Sequence, residues 1–196
     1  MPTSHEVPLA ATVEQQADAE LLRRVVAGEQ AAARQVVGQH LPSITRFAFR
    51  MLGDAADAQD VAQESFLRLW RAAERWEPRA KLSTWLHRVA HNLCVDRLRA
   101  RREVPLDAAP EGSDPETEPA RQLERHQMAR SVVEALDALP ERQRAALALV
   151  YYEGMSNLQA AEVMGVHVDA IESLLARGRR RLRQKLAGNA LENRNG

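Results

Sequence analysis

One segment of the chain is not expected to fold into a compact structure, and it divides the sequence in two. Residues 103–119 carry six acidic side chains, no basic one, a single glycine and hardly any large apolar residue. Four prolines are spread along it, namely Pro105, Pro110, Pro115 and Pro119. So little apolar surface cannot offset the entropy lost on ordering, and the pattern therefore predicts a flexible acidic linker over residues 103–120.

The residue composition predicts that the parts on either side of this linker are helical. The chain is 45% hydrophobic but only 4% aromatic, and alanine, leucine and arginine dominate. These three residue types lose little conformational freedom in a helix, whereas aromatic strand formers are scarce. We therefore predict an all-α fold of two small helical domains, residues 18–102 and 121–187, with frayed ends at residues 1–17 and 188–196.

Apolar residues at helical spacing place the individual helices. In the first domain the predicted helices start at Asp18, at Glu29 with an interruption near Pro42, at Asp54 and at Ser83. In the second domain they cover residues 121–139, 141–152, 157–164 and 168–186. Asp54 and Ser83 are the predicted N-caps, because their side-chain oxygens can accept from the free N–H groups of a first turn.

The last two predicted helices are joined by a tight turn at Gly165 and Val166, an arrangement typical of a helix-turn-helix. The final helix carries an apolar face made of Ile171, Leu174, Leu175, Gly178 and Leu182. That face is expected to pack inward. The arginines around the rest of the helix are then free to enter the major groove of a DNA duplex.

The charge distribution agrees with nucleic-acid binding, although the formal net charge is zero. Basic residues are concentrated in two patches, one in each predicted domain. The first patch consists of Arg79, Lys81, Arg88, Arg97, Arg99, Arg101 and Arg102. The second consists of Arg177, Arg179, Arg180, Arg181, Arg183 and Lys185.

Several classes of protein are disfavoured by what the sequence lacks. Cys94 is the only cysteine, so the chain can form neither an intrachain disulfide nor a cysteine-based zinc finger. No apolar run is long enough to span a bilayer, and residues 1–17 lack the pattern of a signal peptide. These observations predict a cytoplasmic protein.

Three motifs follow one another along the chain. Residues 57–70 read DAQDVAQESFLRLW, residues 82–92 read LSTWLHRVAHN, and residues 139–144 and 153–156 read LPERQR and EGMS ahead of the helix-turn-helix. In this order they resemble the bacterial RNA polymerase sigma factors of the extracytoplasmic-function group. The first two motifs are similar to parts of sigma region 2, and the third is similar to sigma region 4.

The resemblance implies a subunit that directs RNA polymerase to promoters, catalyses nothing itself and needs no cofactor or metal. Core-polymerase contacts then fall on Asp57, Asp60, Gln63 and Glu64. Contacts to the −10 element fall on Trp76, Arg79, Lys81, Arg88, Asn92, Arg97 and Arg101. Contacts to the −35 element fall on His167, Glu172, Ser173, Arg177, Arg180 and Arg181. The implied partners are core RNA polymerase, promoter DNA (duplex at −35, an opened strand at −10) and an anti-sigma factor, in a stress or envelope response.

The final helix departs from the family's usual pattern at one position. Where related sequences have Thr-Val-(Lys or Arg)-Ser-Arg, this chain has Ala170, Ile171, Glu172, Ser173 and Leu174. Glu172 therefore removes one expected basic contact. It either accepts a hydrogen bond from a cytosine N4 amino group or is a plain surface acid.

Some features carry a second interpretation. Asp57, Asp60 and Glu64 would form a metal site in an enzyme such as a nuclease, or are acids favoured by the dipole at the start of a helix. His87, His91 and Cys94 share one helical face and would bind zinc or sense redox state. We favour partly buried side chains of an amphipathic helix instead. For the whole chain the alternative is a stand-alone helix-turn-helix regulator, which leaves the first domain without a role.

Overall fold

The computed structural model describes residues 12–103, 136 and 138–192, with residue 103 and residues 186–192 described by their backbone only. Every regular element in these ranges is a helix, so the all-α prediction is confirmed. The first part contains α1 Val13–Val26, α2 Gln30–Leu52, α3 Ala55–Ala73 and α4 Leu82–Glu103. The second contains α5 Glu141–Leu147, a π-helical turn Ala148–Tyr152, α6 Asn157–Met164 and α7 Val168–Glu192. The predicted linker and nearly all of the predicted helix over residues 121–139 lie outside the described residues.

The first helix starts five residues earlier than Asp18, the predicted start. At Val13 a capping box begins it, in which the Gln15 N–H donates to Thr12 Oγ1 over 3.3 Å and the Thr12 N–H donates to Gln15 Oε1 over 2.7 Å. This reciprocal pair satisfies two N–H groups that the helix itself leaves without acceptors. The prediction that residues 12–17 are frayed was therefore wrong, whereas residues 1–11 lie outside the described residues.

The second helix runs through Pro42 without the predicted interruption. A proline inside a helix removes one hydrogen bond and crowds the carbonyl one turn earlier, at a cost of about 3 kcal/mol. Val36, Ile44 and Phe47 flank this position and are fully buried. Burying each such side chain contributes about 1.5–3 kcal/mol, so tertiary packing outweighs the local preference of proline.

The third and fourth helices are capped in different ways. Asp54 caps α3 as predicted, because its Oδ1 accepts the N–H of Asp57 over 2.8 Å. Ser83 does not cap α4, because this helix already begins at Leu82. The N–H of Leu82 instead donates to Oδ2 of Asp18 on α1 over 2.8 Å. This carboxylate fixes the start of α4 against α1.

The four helices of residues 12–103 enclose one apolar core. Helical spacing in the sequence predicts inward faces for α3 and α4, and most of their residues are buried. On α3 these are Ala62, Phe66, Leu69 and Ala73, and on α4 they are Leu86, Ala90 and Leu93. The other two predicted members, Trp70 and Val89, are half-buried. None of the helices in the described ranges combines the length and the hydropathy needed to cross a membrane.

The helix-turn-helix has the predicted bounds for its first helix and the predicted turn. Ser156 and Gln159 form a capping box at the start of α6, and Gly165 ends it with a φ of 62°, a conformation that favours glycine. The apolar face of α7 packs inward, with Ile171, Leu174 and Leu175 buried. The helix continues to Glu192, past the predicted end at Leu186 and into the tail predicted to be frayed.

The two parts of the chain pack against each other in what we call the closed arrangement. Helix α6 lies against α4, while α5 and the π-helical turn lie against α2. Arg144 donates from Nη1 to the carbonyl oxygen of Met51 over 2.6 Å. At the edge of this contact, Arg102 Nη2 lies 3.3 Å from Glu141 Oε2.

Candidate nucleic-acid interface

A cleft lined by two tryptophans lies between the end of α3 and the first turns of α4. We call it the tryptophan cleft, formed by Arg75, Trp76, Arg79, Thr84, Trp85 and Arg88. The rings of Trp76 and Trp85 meet edge to face with 5.6 Å between their centroids. Arg88 is exposed, and Arg79 is 85% exposed with Nη2 only 2.6 Å from Glu77 Oε2. Aromatic side chains beside exposed guanidinium groups are what an unstacked base and its phosphate require.

The structure brings three of the seven predicted −10 residues into this cleft: Trp76, Arg79 and Arg88. Lys81 follows in the same loop but forms an ion pair with Glu14 of α1. Asn92 is exposed one turn beyond Arg88, on the same helix.

Arg97 and Arg101 are not brought to the cleft. They lie further along α4, where both approach Asp57 at the start of α3. The Nε of Arg97 is 3.8 Å from Asp57 Oδ1, and Arg101 forms an ion pair with Oδ2. Arg101 also donates from Nη1 to the carbonyl oxygen of Leu52 over 2.9 Å. In this structure all three side chains fasten α4 to α3, and their contacts with DNA or polymerase stay predictions.

An apolar groove runs between α2 and α3, beside the remaining predicted polymerase contacts. The apolar groove is lined by Val37, Leu41, Phe66, Leu67 and Trp70. Leu41 is 37% exposed and Leu67 is 42% exposed, so both leucines present apolar surface to solvent at this groove. This groove was not predicted from the sequence, because the α3 surface was assigned there by its polar residues alone.

Polar side chains of α3 border the apolar groove. Gln63 is exposed and lines it, and Asp60 is exposed close by on the same helix. Glu64 accepts from Arg68 Nε over 2.8 Å. That hydrogen bond, together with the positive charges of Arg68, Arg71 and Arg97, holds the pKa of Glu64 below its usual value despite some desolvation. The edge of the groove is therefore polar and carries negative charge at neutral pH.

The predicted −35 residues are all exposed, on the outward side of α7 and, for His167, in the turn just before it. We call this side the recognition face, consisting of His167, Glu172, Ser173, Arg177, Arg180 and Arg181. The Nε of Arg177 donates to the Ser173 carbonyl oxygen over 3.2 Å, which leaves its Nη atoms at the surface. Arg179, which was not predicted as a contact, instead donates to the Tyr151 hydroxyl over 2.7 Å.

The histidines and the cysteine of α4 are buried, as the interpretation we favoured predicts. His87 is 3% exposed, His91 8% and Cys94 0%. Burial raises the pKa of the Cys94 thiol to about 12, so it is not a reactive thiolate near neutral pH. Among the described residues, no group of three or more His, Cys, Asp or Glu side chains is arranged so that it could hold a metal ion.

These features define a class of protein: an all-helical protein with a helix-turn-helix and a second cleft lined by aromatic and basic side chains, as is typical of nucleic-acid-binding proteins. Comparison with known proteins narrows this class to one family. The sequence matches Sigma-70 region 2 over residues 36–104 and Sigma-70, region 4 over residues 129–182. The chain belongs to the sigma-70 family of RNA polymerase sigma factors, in the extracytoplasmic-function group.

Individual relatives agree with this assignment. The chain is 34% identical over 172 residues to the ECF RNA polymerase sigma factor SigE of Mycolicibacterium smegmatis, a match that covers 84% of this chain and 66% of SigE. It is 36% identical over 172 residues to the ECF RNA polymerase sigma factor SigM of Mycobacterium tuberculosis, covering 88% of this chain and 86% of SigM. The solved structure of CnrH in complex with the cytosolic domain of CnrY matches with a TM-score of 0.68 and 28% identity, covering 88% of this chain and 98% of CnrH.

Proposed function

We propose that this protein binds core RNA polymerase in the cytoplasm and directs it to promoters, without catalysing a reaction itself. The observation that carries the proposal is the combination of three surfaces on one chain: the apolar groove, the tryptophan cleft and the recognition face. A stand-alone helix-turn-helix regulator requires only the last of these. Among the described residues, no cluster of side chains is arranged for metal-assisted hydrolysis.

The apolar groove is the proposed docking site for core polymerase. Its exposed leucines provide apolar area, and Asp60, Gln63 and Glu64 provide a polar rim that orients the partner. Interfaces between proteins commonly have this apolar centre and polar edge. Asp57 contributes indirectly, because its ion pairs with Arg97 and Arg101 hold α3 and α4 together beneath this surface.

The tryptophan cleft is the proposed site for the opened −10 strand. Unstacking a base costs a few kcal/mol, and stacking on aromatic side chains returns about 1–3 kcal/mol per base. The exposed guanidinium groups of Arg79 and Arg88 are placed to neutralise the phosphates of that strand. Lys81 and Asn92 extend this surface on either side.

The recognition face is the proposed reader of the duplex −35 element. An arginine in a recognition helix most often donates two hydrogen bonds to guanine O6 and N7. Arg177 is placed for this role, and Arg180 and Arg181 lie on the same exposed side of α7 for phosphate contacts. The proposed readout is therefore one or two base contacts supported by several non-specific ones.

A protein that holds this sigma factor inactive is the proposed regulator, and the controlled genes would serve a stress or envelope response. CnrH, which shares the fold of this chain, was solved with the cytosolic domain of CnrY bound to it. By that analogy we propose an anti-sigma factor as a third partner, after core polymerase and promoter DNA.

Transcription reconstituted from purified components tests the proposal. Core polymerase with this protein should initiate at discrete sites on genomic fragments of the source organism, whereas core polymerase alone should not. The protein alone should bind the same fragments weakly, because each basic surface is small. Tight, sequence-specific binding without polymerase would favour the stand-alone regulator instead.

A further inference from the structure

Glu153 is buried where the two parts of the chain meet. It follows the π-helical turn, and its side chain is 3% exposed. Its Oε2 accepts the hydroxyl hydrogen of Ser43 over 2.6 Å, and its Oε1 accepts from Arg50 Nη1 over 2.9 Å. The side chain of His87 is 4% exposed, and its Nε2 lies 3.9 Å from the same Oε2. We call these four residues the Glu153 cluster. Three belong to the first part of the chain and one to the second.

The acceptors around His87 determine where its hydrogens are. Its Nδ1 lies 2.8 Å from the Ser83 carbonyl oxygen, which only accepts, so Nδ1 carries a hydrogen. Its Nε2 lies 3.2 Å from Ser43 Oγ. Because the hydroxyl hydrogen of Ser43 points to Glu153, Nε2 must also carry a hydrogen to bond that oxygen. With hydrogens on both nitrogens, His87 is an imidazolium.

A second distribution of hydrogens satisfies the same contacts. In it Glu153 is protonated and donates to Ser43, which donates to a neutral His87. Both distributions contain one proton more than a neutral imidazole and a carboxylate. The surroundings favour the carboxylate: burial raises the pKa of Glu153, but hydrogen bonds from His87 and Ser43 and the charges of His87 and Arg50 outweigh this and hold the pKa below its usual value.

We propose that closing the two parts of the chain takes up one proton at the Glu153 cluster, so that the closed arrangement is favoured as the pH falls. When the parts separate, Glu153 leaves, and the Ser43 hydroxyl can donate to a neutral His87. The closed form thus binds one more proton than the open form. By linkage, its stabilisation is fully present at low pH and is lost as the pH rises, by at most about tenfold in the closed-to-open ratio per pH unit.

Two other histidines lie near enough to be considered. His91 is buried on α4 and faces Glu141 and Arg142 of the second part. Burial lowers the pKa of His91, so closing over it releases a proton and acts with the opposite sign. Burial also lowers the pKa of His40, but that side chain faces Asp18 and His87, both within the first part. Neither histidine therefore accounts for a closed arrangement that is favoured as the pH falls.

The closed arrangement also restricts the tryptophan cleft. Glu162 of α6 lines the cleft together with Trp76, Trp85 and Arg88. A carboxylate at this position repels the phosphates of a DNA strand. This consequence rests on the proposed function of the cleft, whereas proton uptake on closing does not.

Single-molecule energy transfer on the full-length chain measures the closed fraction directly. Dyes can be attached at Gln39→Cys on α2 and Ala176→Cys on α7, since both positions are exposed. Cys94 does not compete, because it is buried and the pKa of its thiol is raised to about 12. Because His91 opposes the Glu153 cluster, the decisive profile is that of the His91→Gln variant. In it the closed-to-open ratio should fall as the pH rises between about pH 5.5 and 8.0, by at most about tenfold per unit.

Matched variants assign the slope to the Glu153 cluster. In Glu153→Gln the amide can donate to Ser43, so a neutral His87 satisfies the closed form and the pH dependence should disappear. In His87→Gln, whose side chain cannot bind a proton, the closed-to-open ratio should also be independent of pH. This variant decides the test if Glu153→Gln does not close. Both changes are therefore also made in the His91→Gln variant, whose slope should be steeper than that of the wild type because the opposing proton release is gone. His40→Gln should keep the slope, and circular dichroism checks that each variant retains its helices.

Three results would overturn the proposal. They are a flat profile in His91→Gln, a slope of opposite sign in that variant, and a slope that survives there when His87→Gln is added or when Glu153→Gln is added and the protein still closes. Because the measurement contains neither polymerase nor DNA, its failure is separate from a failure of the proposed function.

Discussion

Replacing Gly178 by alanine sets two opposing effects against each other. In a helix interior, alanine is more stable than glycine by about 0.8–1.0 kcal/mol. Gly178, however, lies where α7 packs on α5. A Cβ added there would be 2.8 Å from Cδ1 and 3.3 Å from Cγ of Leu147. Carbon atoms in contact prefer about 3.5–4.0 Å, so something must move.

Leu147 has little room to move, because it is 2% exposed within the core. Inserting a methyl group into a packed core costs about 1–3 kcal/mol. Subtracting the gain in helix propensity leaves a loss of about 0–2 kcal/mol for Gly178→Ala. We expect about 1 kcal/mol in the free energy of unfolding, measured by guanidinium denaturation followed by circular dichroism.

The Leu147→Ala background separates the two effects. It removes both atoms that the new methyl group meets, so Gly178→Ala should there become stabilising by up to about 1 kcal/mol. Leu147→Ala itself costs about 2–5 kcal/mol, so all four proteins should be compared in a stabilising osmolyte. If Gly178→Ala has the same effect in both backgrounds, the close contact does not limit this position.

Other substitutions test the remaining surfaces. Asp60→Lys or Glu64→Lys should weaken binding to core polymerase roughly tenfold with helix content unchanged, as measured in a core-binding titration. Arg177→Ala should cost about 1–3 kcal/mol, mostly at one −35 base pair, whereas Arg183→Ala should weaken all promoters alike; transcription from −35 point variants distinguishes them. Asp18→Ala removes the cap of α4 and should lower the free energy of unfolding by about 1 kcal/mol, and an unchanged melting temperature would contradict that capping role.

Short-range signals predicted much of the fold. The helix-turn-helix was placed correctly because a Ser156 cap and a Gly165 terminator both act within a few residues of the helix they limit. Asp54 was identified as a cap for the same reason. The apolar faces of α3 and α4 followed from helical spacing alone.

Long-range contacts account for the errors. Ser83 is a good capping residue by type, but Asp18, 64 positions away in the sequence, occupies that role. Pro42 breaks most isolated helices, yet the core on both sides of it keeps α2 continuous. No window of neighbouring residues contains the information that decides either case.

The sequence identified many residues of the candidate site, but it did not show which of them lie on the same surface. Asp57 was assigned to polymerase and Arg101 to DNA, and the two form an ion pair with each other. Leu41 and Leu67 were not assigned to any site, although they line the apolar groove. A motif reveals which side chains share a segment, but only the packing of α2, α3 and α4 shows which of them face the same surface.

The same packing determines how much positive charge is available to DNA. Along α4, Arg97 and Arg101 share the single carboxylate of Asp57 within the first part of the chain, and opening does not change these contacts. Arg102, by contrast, pairs with Glu141 of the second part, and Glu162 of that part lies on the tryptophan cleft. Opening therefore frees the Arg102 guanidinium at the far end of α4 and withdraws the Glu162 carboxylate from the tryptophan cleft, the surface proposed to hold the −10 strand. Every additional ion pair with a phosphate steepens the salt dependence of binding, so the open form should be both the more basic and the more salt-sensitive binder.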